Sequence, residues 1–317
     1  MRRFLIVIAA GLGACKGSGD ASKTDSGKMV SATPAGAPAA ATASKVGEVA
    51  NMKTPESVRY DPELDVFYVS NVNGNPSQHD ANGFIVVVRA DSVGLPPKML
   101  VEGGKKGAKL DGPKGIAIIG DTIWVADINH VRAFNRRTGA PVADISLASQ
   151  KAEFLNDVAI GPDGSVYVTD TGIHFDANGA MSHPGTDQIF KITGRKVTVL
   201  KADSLNAPNG IAWDQANGRF VIGPFSGKAL ESWKEGDKVA STVASGPGQY
   251  DGVEVLSDGR VLVSSWADSS VSAVQNGTFT KVITNVSAPA DIGFDSKRGI
   301  VAVPRFTDGK IEFYKLP

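Results

Sequence analysis

The stretch NGIAWDQANGRFVIGPFSGKALESW, residues 209–233, consists of three short apolar runs separated by turn residues. The runs IAWD, FVIGPF and KALESW are rich in β-branched and aromatic residues, and the intervening QANGR is typical of a hairpin turn. The same order returns in residues 251–274, where VEVL, the turn SDGR, VLVSSW and SVSAV follow one another. The chain therefore contains a repeated unit of antiparallel strands.

Six copies of the opening motif can be aligned along the chain. They are ESVRYD, KGIAII, NDVAIG, NGIAWD, DGVEVL and ADIGFD, which begin at Glu56, Lys114, Asn156, Asn209, Asp251 and Ala290. A basic period of about 40 residues with four strands per unit is typical of propeller blades. A β-sandwich would leave the repeat unexplained, and an α-solenoid needs a 3.6-residue period that the chain lacks. The sequence predicts an all-β, six-bladed β-propeller.

The last unit has only three strands, ADIGFD, GIVAVPRF and KIEFYKL, before the chain ends at Pro317. An open sheet edge at this place would favour aggregation. The segment KVGEVA, residues 45–50, precedes the first unit and can supply the missing outer strand. We therefore expect the propeller to span residues 45–317, with an N-terminal strand that closes the last blade.

The first 44 residues have the composition of an export signal followed by a tether. The basic start MRR, an apolar stretch over residues 4–12 and the sequence LGAC at residues 12–15 are similar to a bacterial lipoprotein signal. We predict a signal peptide over residues 1–14 and a lipid on Cys15, the only cysteine of the chain. An ordinary signal peptide with an incidental cysteine is the alternative.

Residues 15–44 are expected to form a flexible tether, because they are rich in Gly, Ser, Ala, Thr and Pro and contain no aromatic residue. These features predict a bacterial cell-envelope protein that faces the periplasm and contacts the membrane through the lipid anchor only. The chain has 33 basic and 33 acidic residues, and this balance argues against nucleic acid as a partner.

Four of the six motifs open with an oxygen-bearing side chain, namely Glu56, Asn156, Asn209 and Asp251. In a ring of blades, equivalent positions lie at one height around the axis, so these side chains are expected to converge there. Two carboxylates and two amides are hard oxygen ligands, which suit Ca²⁺, although another divalent cation could bind. No His-x-x-x-His or cysteine pattern indicates zinc.

Two insertions, residues 71–83 and 171–187, fall after the second strand of their units, on the face where the four oxygens are expected. The four histidines of the chain are expected in the same set of loops and are His79, His130, His174 and His183. Of these, His130 and His174 are candidate catalytic bases, and His79 is a candidate substrate contact. Lys114, at the same motif position in the second unit, could pair with Glu56 or with a substrate anion.

The opening motifs resemble those of the senescence marker protein/regucalcin/gluconolactonase family of six-bladed propellers, over roughly residues 54–316. The resemblance rests on the Glu of ESVRYD, on NDVAIG, on PNGIAW and on the Asp-Gly of DGVEVL. The paraoxonases, lactonases of the same architecture, have an element similar to LNDV at residues 155–158. The second unit, with IWVADINHVRAFNRRTG, is closer to the NHL-repeat type of propeller.

The resemblance implies that Glu56, Asn209 and Asp251 are metal ligands, and that Asn156 is a ligand or a substrate contact beside the metal. Sugar-lactone members tend to carry a basic residue shortly before the third-blade Asn. Here Phe154 and Leu155 occupy those positions. This departure favours a less polar substrate than an aldonolactone.

A calcium ion with open coordination positions would polarise an ester or lactone carbonyl, and Asp251 or a loop histidine could take the proton of the attacking water. The sequence therefore predicts a calcium-dependent lactone or ester hydrolase that acts on a small molecule. The alternative is a non-catalytic, metal-containing propeller that binds a protein or glycan on its loop face, because propellers serve many unrelated functions.

Overall fold

The computed structural model describes residues 42–184, 187–200 and 205–317. The predicted signal peptide, Cys15 and nearly all of the predicted tether lie outside the described residues. The described part forms six four-stranded antiparallel sheets and one two-stranded hairpin. Its helical segments are two single 3₁₀ turns, Ala90–Ser92 and Ala148–Gln150. The predicted all-β, six-bladed propeller is confirmed.

Each blade runs outward from an inner strand, in chain order. The first blade contains β2 (Pro55–Asp61), β3 (Val66–Asn71), β4 (Phe84–Arg89) and β5 (Lys98–Glu102). The second contains β6 (Pro113–Ile119), β7 (Thr122–Asp127), β8 (His130–Asn135) and β9 (Pro141–Ser146). The third contains β10 (Leu155–Ile160), β11 (Val166–Asp170), β14 (Gln188–Thr193) and β15 (Lys196–Leu200), with the hairpin β12 (His174–Phe175) and β13 (Met181–Ser182) inserted after β11.

The remaining blades repeat this order with short connections. The fourth contains β16 (Pro208–Asp214), β17 (Arg219–Pro224), β18 (Ala229–Trp233) and β19 (Ser241–Ser245). The fifth contains β20 (Tyr250–Val255), β21 (Val261–Ser265), β22 (Ser270–Gln275) and β23 (Thr278–Thr284). The sixth contains β24 (Gly293–Asp295), β25 (Ile300–Arg305) and β26 (Lys310–Lys315), and its outer strand is β1 (Ser44–Val49).

The N-terminal strand closes the last blade as the sequence predicts. β1 pairs antiparallel with β26, from Ser44 opposite Lys315 to Val49 opposite Ile311. β1 begins at Ser44, one residue earlier than the predicted boundary. Lys45 Nζ lies 2.7 Å from Glu312 Oε1, so an ion pair to a buried carboxylate supports the backbone pairing.

The core is divided among the junctions between blades. Six hydrophobic clusters are present in the described residues, and each contains side chains of two adjacent blades. Phe67 of the first blade and Phe313 of the sixth, with ring centroids 5.4 Å apart, belong to the cluster that joins the ends of the ring. At the same junction the Asp291 N–H donates to Glu56 O at 2.8 Å. Apolar contact and a backbone hydrogen bond therefore both close the ring.

Removal of residues 42–50 is expected to lower the melting temperature by roughly 5 °C or more. The deletion exposes the edge of β26 and removes the buried side chain of Val49 from the cluster that joins the first and last blades. Deletion of residues 16–40 is the control and is expected to leave the melting temperature nearly unchanged. Thermal unfolding monitored by circular dichroism distinguishes the two, and equal melting temperatures for both deletions would contradict the closing role of β1.

Candidate functional site

A β-bulge recurs at the start of every inner strand. In the fourth blade Pro208 pairs with Pro224 but Ile211 pairs with Ile222, so two inner-strand residues lie opposite the single residue Gly223. The same one-residue shift occurs in the other five blades, at the residues that open the repeated motif. A bulge turns its side chains away from the regular alternation of a strand. It therefore sets the direction of the six motif-opening residues, which we call the axial column: Glu56, Lys114, Asn156, Asn209, Asp251 and Ala290.

Hydroxyl groups on the second strands satisfy the backbone groups that the bulges leave unpaired. The hydroxyls of Ser70, Thr169 and Ser264 accept the N–H groups of Ser57, Asp157 and Gly252 at 2.9, 3.0 and 2.8 Å, respectively. Thr169 in turn donates to Asn209 O at 2.6 Å, and Ser264 donates to Ala290 O at 2.9 Å. In the third and fifth blades one hydroxyl thus ties the residue after the column position to the column residue of the next blade.

Glycines directly after the column residues allow neighbouring inner strands to approach closely. A Cβ atom on Gly210 would lie 2.1 Å from Asp251 O, and one on Gly252 would lie 2.3 Å from Ile292 N. No side chain fits at these distances. In the Asn-Gly and Asp-Gly pairs of the motif, the glycine therefore permits the close spacing of neighbouring blades, and the Asn or Asp belongs to the candidate site.

Oxygen atoms of the axial column are buried without a hydrogen-bond donor. Glu56 Oε2, Asn209 Oδ1 and Asp251 Oδ1 have no hydrogen-bond partner among the described residues. Asn156 Nδ2 donates to Thr171 Oγ1 at 3.0 Å, which leaves Asn156 Oδ1 as the free end of its amide. Buried polar oxygens are normally satisfied, by donors or by a cation. The donor set of two carboxylates and two amides fits a hard divalent cation such as Ca²⁺.

Among the described residues, no three His, Cys, Asp or Glu side chains are grouped as metal ligands. The axial column has only two residues of these types, Glu56 and Asp251, and its other oxygen donors are amides. The column thus differs from the nitrogen and sulfur sites that bind zinc.

Negative charge is concentrated at the column. Burial raises the pKa of Glu56 well above its usual range, repulsion from Asp251 and Asp291 raises it further, and Lys114 opposes the shift. Burial also raises the pKa of Asp251, again with repulsion from Asp291. The indole N–H of Trp266 donates to Asp251 Oδ2 at 2.8 Å and stabilises the ionised form. A bound cation would offset the same repulsion.

A second polar layer, not anticipated from the sequence, lies along the inner strands below the column. The Ser57 hydroxyl donates to Asp291 Oδ2, and Arg59 Nη2 lies 4.0 Å from the same oxygen. Arg59 Nη1 also pairs with Glu254 Oε1 at 2.6 Å. Its Nε donates to Ile116 O at 2.8 Å, so the guanidinium links the first blade to the second, fifth and sixth and supplies positive charge beneath the column. A cavity of about 450 Å³ adjoins this ion pair and opens toward the opposite mouth of the ring, where Trp213 lies in its wall.

Lys114 is buried, and its ammonium group is directed toward the loop of residues 71–83. Its Nζ donates to Gly112 O at 3.1 Å and Pro76 O at 3.4 Å, and lies 4.1 Å from the centroid of the Phe154 ring. Burial lowers the pKa of Lys114 to about 8, against the opposing effect of Glu56. The ammonium group of this column residue is therefore directed toward the first-blade loop, with much of its hydrogen-bonding capacity already used.

The two long loops contact each other over the mouth on the column side. Asn75 Nδ2 donates to Asp176 O at 2.8 Å, and the Phe175 N–H donates to Ser77 Oγ at 3.0 Å. The rings of Phe175 and Phe154 have centroids 5.9 Å apart. The loop of the first blade and the hairpin of the third thus cover one side of the mouth together.

The histidines differ in their relation to the column. His183 Nε2 lies 3.1 Å from the carbonyl oxygen of Thr171, the residue whose hydroxyl accepts from Asn156. His174 is the first residue of the hairpin β12–β13 and is partly exposed. His79 is about half exposed, and its Nδ1 lies 3.1 Å from Asp111 Oδ2. Of the four histidines, His183 is connected to a predicted metal ligand through the fewest contacts, because only Thr171 lies between it and Asn156.

The prediction that His130 lies in a loop is wrong. His130 is the first residue of β8, the third strand of its blade, because the turn after β7 is only two residues long. Its Nδ1 lies 2.6 Å from Asp144 Oδ1 on the outermost strand, β9. The ring is therefore directed along the sheet toward the outer edge of the second blade.

The fold is a six-bladed β-propeller with buried, unpartnered oxygens on the motif-opening residues of three blades. The family model of the SMP-30/gluconolactonase/LRE-like region matches residues 54–293, and the chain belongs to this family. No curated protein sequence matches the chain. The resemblance read from the opening motifs is thereby confirmed.

Two solved structures share the fold at low sequence identity. One, an X-ray structure of a protein assigned as a gluconolactonase from its protein family, has a TM-score of 0.63 and 17% identity, and the match covers 88% of this chain and 93% of that chain. The other is selenomethionine-substituted virginiamycin B lyase from Staphylococcus aureus, with a TM-score of 0.57 and 14% identity. That match covers 85% of this chain and 98% of the lyase.

Calcium is expected to raise the melting temperature of chelator-treated protein strongly at about pH 8 and weakly at about pH 5.5. Protons compete with the cation for Glu56 and Asp251, whose pKa values are raised in the metal-free fold. The raised pKa values also destabilise the metal-free protein as pH increases, so its own melting temperature should fall toward pH 8. Thermal unfolding with calcium or chelator at both pH values measures the effect.

The matched variants for this experiment are Glu56→Gln and Glu102→Gln. Glu56→Gln should reduce the calcium-dependent shift and flatten its pH dependence, whereas Glu102→Gln, at an exposed position on β5, should behave as wild type. An equal calcium shift at both pH values would show that these carboxylates are not the ligands.

Proposed function

We propose that the protein is a divalent-cation-dependent lactone or ester hydrolase of the gluconolactonase-like type, with Ca²⁺ as the metal. The observation that carries this proposal is the set of buried, partnerless oxygens on Glu56, Asn209 and Asp251. Membership of the SMP-30/gluconolactonase/LRE-like family supports the same reaction class.

The axial column residues have separate roles in this proposal. Glu56, Asn156, Asn209 and Asp251 hold the cation, and Ala290 leaves the sixth position open. When bound, the metal supplies Lewis-acid polarisation of the substrate carbonyl. Asn156 also contacts the substrate, because its amide lies at the edge of the set beside Thr171.

The base that takes the proton of the attacking water is Asp251 or a loop histidine. Asp251 has one oxygen fixed by Trp266 and the other without a donor, so a bound water could reach it. His174 and His183 are the histidine candidates, since both belong to the third-blade insertion beside Asn156. His130 is left out of this proposal, because its ring pairs with Asp144 on the outermost strand of its blade. Lys114 and His79 contribute to substrate binding from the covered side of the mouth.

Asp251→Asn is expected to lower turnover by about 100-fold or more at saturating calcium if Asp251 is the base. Glu56→Gln removes charge without removing the coordinating oxygen, so added calcium should partly restore its activity. Asp258→Asn is the matched control, because Asp258 is an exposed turn carboxylate whose side chain pairs with Arg260. Rates on a panel of lactones and esters, with and without chelator, give the comparison.

Hydrolysis that persists unchanged in chelator would contradict the proposed mechanism, whereas unchanged turnover in Asp251→Asn would exclude Asp251 as the base and leave the loop histidines. If calcium-loaded protein hydrolyses no member of the panel, the propeller is a binding module instead. A pH–rate profile separates the possible bases. Loss of a rate increase near pH 6–7 in His174→Gln or His183→Gln, with calcium affinity intact, would identify that histidine as the base.

We further propose that the domain is anchored to a bacterial membrane through a lipid on Cys15 and acts in the periplasm. The sequence LGAC at residues 12–15 and the single cysteine support this placement. Among the described residues no helix has the length and apolar character needed to cross a membrane.

Cys15→Ser is expected to abolish the incorporation of a labelled fatty acid and to move the protein from the membrane fraction to the soluble fraction. The melting temperature should not change, because Cys15 precedes the propeller. A control with Ser18→Ala, in the same stretch of the predicted tether, should retain both the lipid and the membrane location. Wild-type protein without lipid, in the soluble fraction, would refute the anchor.

A further inference from the structure

The residue that follows the second strand is aromatic in three consecutive blades. The six equivalent residues are Val72, Ile128, Thr171, Phe225, Trp266 and Phe306. In the fourth, fifth and sixth blades the backbone N–H at this position donates to the residue two places before the axial column, with partners Ala207, Gln249 and Ala288 at 2.8, 3.0 and 3.1 Å. The same hydrogen bond therefore holds each aromatic residue at the rim on the column side.

These three aromatic residues, the aromatic arc, form a continuous surface beside the column. The ring centroids of Phe225 and Trp266 are 5.9 Å apart with an edge-on geometry, and those of Trp266 and Phe306 are 5.6 Å apart. The indole N–H of Trp266 donates to Asp251 Oδ2 at 2.8 Å. The arc thus touches a proposed metal ligand directly.

The arc lies on the less covered half of the mouth. All three side chains are partly exposed, unlike Val72, Ile128 and Thr171, which are buried. The connections that carry the arc, residues 225–228, 266–269 and 306–309, are short, whereas the first and third blades carry the long loops. A substrate at the column would therefore meet aromatic surface on this side.

Two charged groups beside the arc, Arg305 and Asp268, are paired with other side chains. Arg305, the neighbour of Phe306, pairs with Glu312 at 2.6 Å and with Asp308 at 2.7 Å. Asp268, two residues after Trp266, pairs with Lys281 at 2.9 Å. The N–H of Trp266 is already donated to Asp251. The faces of these rings offer a polyhydroxylated molecule no hydrogen bonds, whereas an apolar group would bury surface against three rings.

We propose that the aromatic arc binds the apolar part of the substrate, so that the site takes lactones or esters with an alkyl or aryl substituent in preference to sugar lactones. This inference rests on the proposed hydrolase function. Phe175, which packs on the buried ring of Phe154 and is itself partly exposed, adds apolar surface on the other side of the mouth. Each added methylene that becomes buried should strengthen binding by up to about fourfold.

The test compares binding and hydrolysis on the calcium-loaded, full propeller. Binding is measured by calorimetry with two non-hydrolysable γ-lactams, one unsubstituted and one carrying a hexyl chain. Hydrolysis is measured with γ-lactones of increasing alkyl length and with gluconolactone. We expect the hexyl lactam to bind at least tenfold more tightly than the parent lactam, and kcat/KM to rise with chain length.

The variants Phe225→Ala and Phe306→Ala, singly and combined, should remove most of the chain-length dependence and leave calcium affinity unchanged. Phe225→Leu and Phe306→Leu keep apolar volume and replace the alanine variants if those unfold. The leucine variants should retain the preference for alkyl lactones but show a weaker preference for aryl esters. Phe279→Ala is the matched control, because Phe279 is a partly exposed aromatic residue on the outermost strand of the fifth blade.

The outcomes separate this inference from the proposed function. Hydrolysis of gluconolactone in preference to alkyl lactones, or a chain-length dependence that survives in the double alanine variant, would overturn the role of the arc and leave the hydrolase intact. Arc-dependent binding of the hexyl lactam without hydrolysis of any lactone would support the arc and overturn the hydrolase.

Discussion

The feature on which this structure depends is a set of buried oxygen atoms, on motif-opening residues of three blades, that have no hydrogen-bond donor among the described residues. Glu56, Asn209 and Asp251 each contribute one such oxygen, which has no donor among the described residues. Burying carboxylate and amide oxygens without partners costs free energy, and mutual repulsion of the carboxylates adds to this cost. A divalent cation removes both penalties at once. The metal is therefore expected to contribute to the stability of the fold as well as to its chemistry.

The surrounding structure fixes these oxygens through backbone features that repeat around the ring. A bulge sets the direction of each column residue, and the hydroxyls of Thr169 and Ser264 donate to column residues of the next blade. Below the column, Arg59 provides a fixed positive charge between Glu254 and Asp291. Rigid support from outside the ligand set is what a preorganised metal centre requires. The side chains that differ between blades are not needed for this support, so they can form the surface that contacts the substrate.

The sequence predicts the repeated elements well, because each blade carries the same pattern of strands, turns and motif-opening residues. It also predicts the closing strand, since the last unit is one strand short. Features that depend on contacts between blades were not predicted. Arg59 and Asp291 are far apart in the sequence and come together only in the folded ring. His130 was predicted in a loop because the turn between β7 and β8 has only two residues, so the start of β8 is not evident from the sequence. The aromatic arc could have been found by extending the repeat alignment to the residue after each second strand.

The most direct test of the metal centre is a crystal structure of the propeller grown with calcium. We predict one calcium ion on the axis, at about 2.3–2.6 Å from side-chain oxygens of Glu56, Asn156, Asn209 and Asp251. An axial centre filled only by hydrogen-bonded water at saturating calcium, or an ion bound by other residues, would contradict it.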